Sequence, residues 1–308
     1  MQYASPYKRP ATREEYQRLM TRLDKWGKFR DAKQLAVFLA DSFATYPWDA
    51  LQVDSNAFFS NNEPAFADFF QTRRNVLIVG DSHANFTFGH LARQNAYDSD
   101  SLVISRLGAS IVGFGRSRST LGVFEKVERY VRVHEPAHIV FKFGQVDVDL
   151  GIYYRIVVKN QVLDFERFFS EAVAGYVERI RQLADHARLY VCGINPPCLF
   201  DQAAAAGYTA KVIAENIESD EQRRALTRRL GKILPSIEAR TRISLLFNSL
   251  LRQAAEARSL PYFDFADHLL DPETGLLKER FRQADNHHIV FDEQDAAFIT
   301  ERLRALQR

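Results

Sequence analysis

One short segment constrains the fold of this chain more than any other. Residues 76–79 read Val-Leu-Ile-Val and run directly into Gly80-Asp81-Ser82-His83. A short apolar, β-branched stretch is typical of a strand buried on both faces of a parallel sheet. A helical pattern follows, so Ser82 is predicted at a strand-to-helix turn. This turn lies at the carboxyl edge of the strand, where open α/β sheets bind their ligands.

Similar strand-like runs alternate with helical stretches along the rest of the chain. The runs fall at residues 102–105, 138–143 and 188–192, with a fifth at 261–265. The helical patterns between them fall at residues 84–95, 121–134 and 165–186. Such alternation implies a parallel sheet with helices on both faces. The sequence therefore predicts an α/β fold, with three αβα layers around a parallel five-stranded sheet.

Two helical additions are expected outside this pattern. Residues 1–74 are predicted as an N-terminal helical extension, because Leu35, Phe38, Leu39 and Phe43 follow helical spacing. Residues 75–308 then form the α/β domain. Within it, residues 201–259 are predicted as a helical insertion near the carboxyl ends of the strands, which Pro235 divides into at least two helices.

The insertion carries a cluster of basic residues with two open interpretations. Its members are Arg223, Arg224, Arg228, Arg229 and Lys232. They could attract phosphate or a polyanionic glycan, or they could form a solvated helix face beside nearby acidic residues. The whole chain has 41 Lys and Arg against 39 Asp and Glu, a net charge of +2. No nucleic-acid partner is expected from so balanced a charge.

Composition and the termini indicate the class of protein. In 308 residues, 46% are hydrophobic and 26% charged, as in globular proteins. The two cysteines, Cys192 and Cys198, are too few for a disulfide scaffold or a thiolate zinc cluster. The amino terminus has no signal-like apolar stretch, and no segment reaches the ~20 apolar residues of a membrane span. A cytoplasmic location without a membrane span is expected.

Ser82 itself has two interpretations when it is considered alone. A serine that opens a helix lies near helical N–H groups, whose partial positive charge can stabilise an oxyanion. Serine and aspartate also cap helices without any catalytic role. The turn alone does not decide between a nucleophile and a cap.

A second polar segment near the carboxyl terminus supplies the groups that a nucleophilic serine needs. Asp285-Asn286-His287-His288 lies in a loop before a final helix predicted at residues 292–306. A serine nucleophile needs a base to take its proton and an acid to orient that base, and His288 and Asp285 can supply both. His287 is the competing base. No metal site is expected from the histidine pair, because no third ligand has evident motif spacing.

Together these segments resemble the SGNH (GDSL-type) hydrolase superfamily. The resemblance consists of Gly80-Asp81-Ser82 after the first strand and Asp285-x-x-His288 before the last helix, in that order and separation. It covers residues 75–308 and implies an SGNH-like fold. It also implies that Ser82 is the nucleophile, that His288 is the base and that Asp285 orients it.

The oxyanion hole that the resemblance implies is only partly represented. In the family, the N–H of the serine is joined by a glycine after the second strand, here Gly108 or Gly113, and by an asparagine after the third. Gly-x-Asn-Asp is expected there, but the chain has Gly144-Gln145-Val146-Asp147. We expect Gly108, Gly144, Gln145 and Asp147 near the substrate, with Gln145 a candidate to replace the missing asparagine. The Gly-x-x-Asp frame resembles a variant in bacterial relatives associated with surface polysaccharides.

A polar and aromatic stretch after the third strand has two further interpretations. It contains Asp147, Asp149, Tyr153, Tyr154 and Arg155. Sugars often stack on tyrosine and bond to carboxylates, so the stretch could contact a carbohydrate. It could equally be an ordinary surface loop.

These features predict a serine esterase that acts on O-acyl esters through an acyl-serine intermediate, with carbohydrate as the expected carrier of the ester. The alternatives are an O-acyltransferase that modifies a bacterial polysaccharide and a catalytically silent glycan-binding or scaffolding domain. The expected partner is a carbohydrate or another acylated small molecule, with an acyl donor such as acetyl-CoA in the transferase case. No cofactor is expected, and the oligomeric state is left open.

Overall fold

The computed structural model describes residues 76–94, 101–106, 108–116, 122–214 and 219–307. Within them, a five-stranded parallel sheet has the order β2-β1-β3-β4-β5. Its strands are β1 Val76–Gly80, β2 Ser101–Ser105, β3 His138–Lys142, β4 Arg188–Cys192 and β5 Tyr262–Phe263. All five predicted strands are confirmed, although β5 has only two residues. The predicted N-terminal helical extension, residues 1–74, lies outside the described residues.

Helices connect the strands. They are α1 Ser82–Gln94, α2 Ile111–Phe114, α3 Val123–His134, α4 Ile152–Val157, α5 Phe165–Arg181, α6 Gln202–Ile213, α7 Asp220–Ile233, α8 Ile237–Glu256, α9 Ala266–Leu269 and α10 Glu293–Gln307. A π-helical turn, Asp147–Gly151, precedes α4, and a 3-10 turn, Glu279–Phe281, precedes the last loop. Among the helices of the described residues, none combines the length and the apolar character needed to span a lipid bilayer.

The central strand β1 shows why the molecule has three layers. Leu77 and Val79 join one buried cluster, while Val76 and Ile78 join another on the opposite face of the sheet. The first cluster draws its helical residues from α2 to α8, and the second draws them mainly from α1, α9 and α10. Alternate side chains of a strand point to opposite faces, so both faces of this sheet are covered. The predicted αβα arrangement is confirmed.

The strand order determines where a ligand can bind. β1 lies between β2 and β3, so the chain leaves β1 toward one side of the sheet and returns to the other side. Such a reversal opens a crevice at the carboxyl ends of the strands. The Asp81 N–H bonds to the main-chain oxygen of Lys142 at 3.2 Å, and the Arg106 N–H bonds to that of Gly80 at 2.8 Å. The loops after all three strands are thereby joined at this edge.

The predicted insertion consists of α6, α7 and α8, and Pro235 lies between α7 and α8 as expected. Helix α7 turns Leu226 and Leu230 inward, whereas the residues of its basic cluster are exposed. Arg229 donates to the main-chain oxygen of Val157 at 2.6 Å and to Asn160 Oδ1 at 2.8 Å. The cluster thus forms a solvated face on which Arg229 ties the insertion to the end of α4.

Candidate active site

Ser82 opens α1 at a tight turn that the sequence encodes through Gly80. A Cβ at Gly80 would collide with the main-chain oxygen of Lys142 and with Ala84, so only glycine fits between β1 and the helix. Asp81 caps the helix: its Oδ1 accepts from the His83 N–H at 2.9 Å. The Ser82 hydroxyl is not needed as a cap and is directed elsewhere.

The structure brings Ser82 and His288 together. His288 Nε2 lies 2.8 Å from Ser82 Oγ, although the residues are 206 positions apart in the chain. The distance is that of a hydrogen bond between a nucleophile and a general base. Of the two candidate histidines, His288 is therefore the one that reaches the serine. His287 points toward Asp149, with its Nδ1 3.6 Å from Asp149 Oδ2.

Asn286, rather than Asp285, occupies the place of the orienting acid. Asn286 Oδ1 lies 2.7 Å from His288 Nδ1, whereas Asp285 is exposed. The same Oδ1 accepts the main-chain N–H of His288 at 3.1 Å, so a local turn holds this side chain against the ring. The role that the resemblance predicts for Asp285 is corrected by this geometry.

The Asn286 contacts define the protonation of His288. Because the His288 main-chain N–H donates to Oδ1, the amide oxygen must face the ring. Nδ1 then carries the ring proton and donates it to that oxygen, so Nε2 keeps the lone pair that accepts the Ser82 hydroxyl. This is the tautomer that a general base requires. Unlike an aspartate, however, Asn286 brings no negative charge to stabilise an imidazolium.

Two rings enclose the His288 imidazole. Phe86 stacks on one side with centroids 4.0 Å apart, and His83 lies at 4.3 Å with an interplanar angle of 33°. Burial holds the pKa of His288 far below its usual 6.5, and the neighbouring His83 and His287 lower it further. His288 is therefore neutral at physiological pH and available as a base.

His83 attaches the base-bearing loop to α1. Its Nε2 lies 3.1 Å from the main-chain oxygen of His287, and its Nδ1 lies 3.3 Å from Asp81 Oδ1. Both His83 and Asp81 are fully buried. Sequence reasoning missed His83, Phe86 and Asn286 as parts of the site. A signal existed for Phe86, because residues four apart on a helix share one face and Phe86 follows Ser82 by four.

The structure also supplies the third imidazole that the sequence spacing did not reveal. Nitrogen atoms of His83, His287 and His288 lie within 4.8 Å of one another. Both nitrogens of His288 are engaged, however, with Ser82 and with Asn286. A metal ion bound through His288 Nε2 would have to displace the Ser82 hydroxyl, so metal binding and serine activation exclude each other here.

Both side-chain N–H bonds of Gln145, the candidate substitute for the missing asparagine, are engaged within the protein. Its Nε2 donates to Asp149 Oδ2 at 3.0 Å and to the main-chain oxygen of Asn195 at 3.1 Å, which uses both of its N–H bonds. Its Oε1 accepts from the Asn195 N–H at 2.9 Å. Lys142 Nζ, buried beside them, donates to Asn195 Oδ1 at 3.1 Å. The third-strand loop is thus a satisfied polar network.

Gly144 and Asp147 also have structural roles in this loop. Gly144 has φ of 115°, and a Cβ there would collide with the Phe247 ring. Asp147 Oδ2 accepts from the Ile111 N–H at 2.7 Å, which ties the third-strand loop to α2. Burial raises the pKa of Asp147 to about 7. The side chains of Gln145 and Asp147 are therefore engaged within the protein.

The main-chain N–H groups of Gly108 and Ser82, after β2 and β1, are the remaining candidate oxyanion donors. Gly108 is exposed in the loop after β2 and has φ of 71°, a conformation that glycine adopts without strain. The N–H of Ser82 lies in the first turn of α1, where a helix leaves its N–H groups without intrahelical partners. Val146, at the position where the sequence resemblance predicts an asparagine, contributes no side-chain donor. The two cysteines are buried, which raises the pKa of Cys192 to about 11 and that of Cys198 to about 12.

No protein-family model matches the sequence, and no curated protein matches it. Solved structures do match. A GDSL-like lipase from Bacteroides thetaiotaomicron is 14% identical, with 86% of this chain and 98% of that one covered at a TM-score of 0.42. Phospholipase A1 from Streptomyces albidoflavus is also 14% identical, with 74% and 98% covered at a TM-score of 0.40. At this level of similarity, function is inferred from the residues of the site.

Proposed function

We propose that the protein is a serine ester hydrolase that removes O-acyl groups from carbohydrate through an acyl intermediate on Ser82. The observation that carries this proposal is the 2.8 Å contact between Ser82 Oγ and His288 Nε2. It joins a nucleophile and a neutral base at the edge where α/β sheets bind ligands.

The reaction begins when Ser82 Oγ attacks the acyl carbon and His288 Nε2 takes the hydroxyl proton. Collapse of the tetrahedral intermediate breaks the ester bond, and His288 returns the proton to the leaving sugar oxygen. A water molecule, deprotonated by the same nitrogen, then attacks the acyl carbon; the bond from that carbon to Ser82 Oγ breaks, the free acid leaves, and His288 returns the proton to Ser82 Oγ. Asn286 keeps the proton of His288 on Nδ1 throughout, so Nε2 alone exchanges protons with the reactants.

The backbone N–H groups of Ser82 and Gly108 hold the oxyanion. Each hydrogen bond to a developing negative charge stabilises the transition state, and the loss of one donor costs roughly 10²–10³ in turnover. With Val146 in place of an asparagine and Gln145 fully engaged, the hole has two donors instead of three. We therefore expect a slow esterase.

An O-acyltransferase is the closest alternative, because it shares the first half-reaction. Acyl-Ser82 would then be attacked by a sugar hydroxyl instead of water. A catalytically silent glycan-binding domain is the second alternative, which the weakened oxyanion hole and the neutral Asn286 favour. The three functions differ in what happens to Ser82 and to the acyl group.

Labelling with a serine-directed fluorophosphonate tests the proposal. The intact protein should gain one adduct, which peptide mass spectrometry assigns to Ser82. Ser82→Ala should gain none, while Ser170→Ala, which removes an exposed serine on α5, should label like the parent. Properly folded parent protein without an adduct on Ser82 would overturn the serine mechanism and favour the silent domain.

The fate of the acyl group separates hydrolase from transferase. The parent should release free acetate from an acetylated sugar in water, and an added acceptor sugar should not capture the acetyl group. Transfer to the acceptor in preference to water would favour the O-acyltransferase. Protein that still reacts with the fluorophosphonate and binds the sugar, but releases no acyl group, would contradict both the hydrolase and the transferase.

A further inference from the structure

Three imidazole rings lie against one another beside Ser82, and the reaction above assigns proton transfer to only one of them. One nitrogen from each of His83, His287 and His288 lies within 4.8 Å of the others. Two of these residues have no place in the proton transfers and are almost completely buried, since His83 is 1% exposed and His287 is 9% exposed. Three imidazoles are enough protein ligands for a zinc ion whose fourth position stays open.

Each ring turns one nitrogen toward a hydrogen-bond acceptor, which is the usual arrangement of histidines that bind zinc. His83 Nε2 lies 3.1 Å from the main-chain oxygen of His287, and His288 Nδ1 lies 2.7 Å from Asn286 Oδ1. His287 Nδ1 faces Asp149 Oδ2 at the longer distance of 3.6 Å. These oxygens only accept, so the ring proton belongs on the nitrogen that faces them. The other nitrogen of each ring then keeps its lone pair for a metal ion.

Buried polar atoms without partners adjoin the cluster. Asp81 is fully buried, and its Oδ1 lies 3.3 Å from His83 Nδ1. Among the described residues, neither Asp81 Oδ2 nor His83 Nδ1 has a hydrogen-bond partner. With the ring proton on Nε2, the lone pair of His83 Nδ1 faces a carboxylate, and a positive charge between them satisfies both groups. Together with Asp149 beside His287, two carboxylates flank the rings, the number that balances a divalent cation.

We infer that His83, His287 and His288 bind a zinc ion that blocks the serine reaction. His288 Nε2 lies 2.8 Å from Ser82 Oγ, so an ion on this nitrogen displaces the hydroxyl, which keeps its proton. Ser82 then has no base and cannot attack an ester. Imidazole ligands suit zinc, whereas magnesium prefers oxygen ligands. The inhibition rests on the proposed ester hydrolysis, but the binding of zinc does not.

Binding of Zn²⁺ alone tests the site. Protein stripped with EDTA competes for Zn²⁺ with a chromogenic chelator, and the parent should bind one Zn²⁺ per chain. His287→Gln should bind it at least about tenfold more weakly, because loss of a ligand costs no less than loss of an outer-shell partner. His186→Gln, which alters an exposed histidine outside the cluster, is the matched control and should bind like the parent. Circular dichroism checks that each variant folds.

Ser82→Ala tests the displacement of the hydroxyl. This variant keeps all three imidazoles and removes the group that occupies His288 Nε2. It should bind Zn²⁺ about two- to tenfold more tightly than the parent, the gain from a hydrogen bond that no longer has to be broken. Binding no tighter than that of the parent would contradict the displacement. Because the substitution does not touch the buried rings, it also decides the question if His287→Gln does not fold.

The rate of Ser82 labelling by the fluorophosphonate tests the inhibition. In the parent, Zn²⁺ should slow labelling at least about tenfold when the site is filled, with half of the effect at the concentration that half-fills it. EDTA should restore the rate, and Mg²⁺ at the same concentration should leave it unchanged. For each variant, the rate with Zn²⁺ is compared with its own metal-free rate, so that changes in Ser82 reactivity cancel.

The outcomes distinguish the zinc site from the esterase. If Ser82 is labelled equally fast with Zn²⁺ bound, or if Zn²⁺ raises ester turnover, the inhibition is wrong and the esterase proposal stands. If the parent binds no Zn²⁺, or if folded His287→Gln binds it as tightly as the parent, the site is wrong. If Ser82 is not labelled even without metal, the esterase proposal fails, and the chelator competition still decides whether the three histidines bind zinc.

Discussion

The two sides of the crevice treat their polar groups in opposite ways. On the side of α1, Ser82 and His288 form one hydrogen bond, and the rings of Phe86 and His83 enclose the His288 imidazole. On the side of β3, Gln145 uses both of its N–H bonds within the protein. A residue with donor groups at a motif position is therefore not necessarily a free donor. The Ser82 side holds a hydroxyl and an imidazole in direct contact, whereas the polar groups of the third-strand side satisfy one another.

Removal of the base, His288, should have the largest effect on the reactivity of Ser82. His288→Ala leaves Ser82 without a proton acceptor, so the rate of Ser82 phosphonylation should fall by about 10²–10⁴-fold. His186→Ala, which alters a histidine far from the site in sequence, is the control and should keep the parental rate. The rates come from stopped labelling reactions quantified by intact-protein mass spectrometry. A loss of less than twofold would show that Ser82 does not depend on His288.

Restoring the missing donor should have the next largest effect. Val146→Asn places an amide at the position where the sequence resemblance predicts an oxyanion donor, and ester turnover should rise by up to about 10²-fold. Hydrolysis of p-nitrophenyl acetate measures kcat and KM, and the gain should appear in kcat. Val162→Asn, at a fully exposed position, is the matched control. An unchanged kcat would show that the third-strand side does not limit the reaction.

The pH dependence of Ser82 labelling should report the lowered pKa of His288. Its pKa lies well below 6.5, and only the neutral ring accepts the Ser82 proton, so the rate should show no decline at pH 6.5 as pH falls. In Asn286→Asp, a carboxylate beside His288 Nδ1 favours the protonated ring and raises the pKa of His288 by about 1–3 units. The acid decline should then move to higher pH.

Asp285→Asn is the control for that shift, because its exposed side chain makes no difference to the ring. Its pH profile should match that of the parent. A parental decline centred near pH 6.5 would contradict the lowered pKa of His288. A profile that Asp285→Asn alters more than Asn286→Asp does would return the orienting role to Asp285.

Much of this arrangement could be predicted from the sequence. The strands can be predicted because each is a short apolar run. The position of Ser82 at the carboxyl edge can be predicted because all the strands of a parallel sheet end at the same edge. Which of Asp285 and Asn286 reaches His288 depends on one local turn, and adjacent residues give no pattern from which to choose. The engagement of Gln145 depends on Asn195, 50 positions away, so the motif alone suggested a free donor.

Disruption of the third-strand network should affect stability more than chemistry. Gln145→Ala leaves the Asn195 N–H buried without its acceptor, which should lower the free energy of unfolding by about 1–3 kcal/mol. Urea denaturation measures this, with Gln253→Ala on the surface of α8 expected within about 0.5 kcal/mol of the parent. Unchanged stability together with a large fall in ester turnover would make Gln145 an oxyanion donor after all.

A crystal structure of the fluorophosphonate-treated protein tests the central claim most directly. The phosphorus should be bonded to Ser82 Oγ, with its oxygen about 2.7–3.1 Å from the N–H groups of Ser82 and Gly108, the range expected for oxyanion donors. The side chains of Gln145 and Val146 should make no hydrogen bond to it. An adduct on another residue, or an oxygen held by Gln145 instead of the two backbone groups, would contradict the division between the two sides of the crevice.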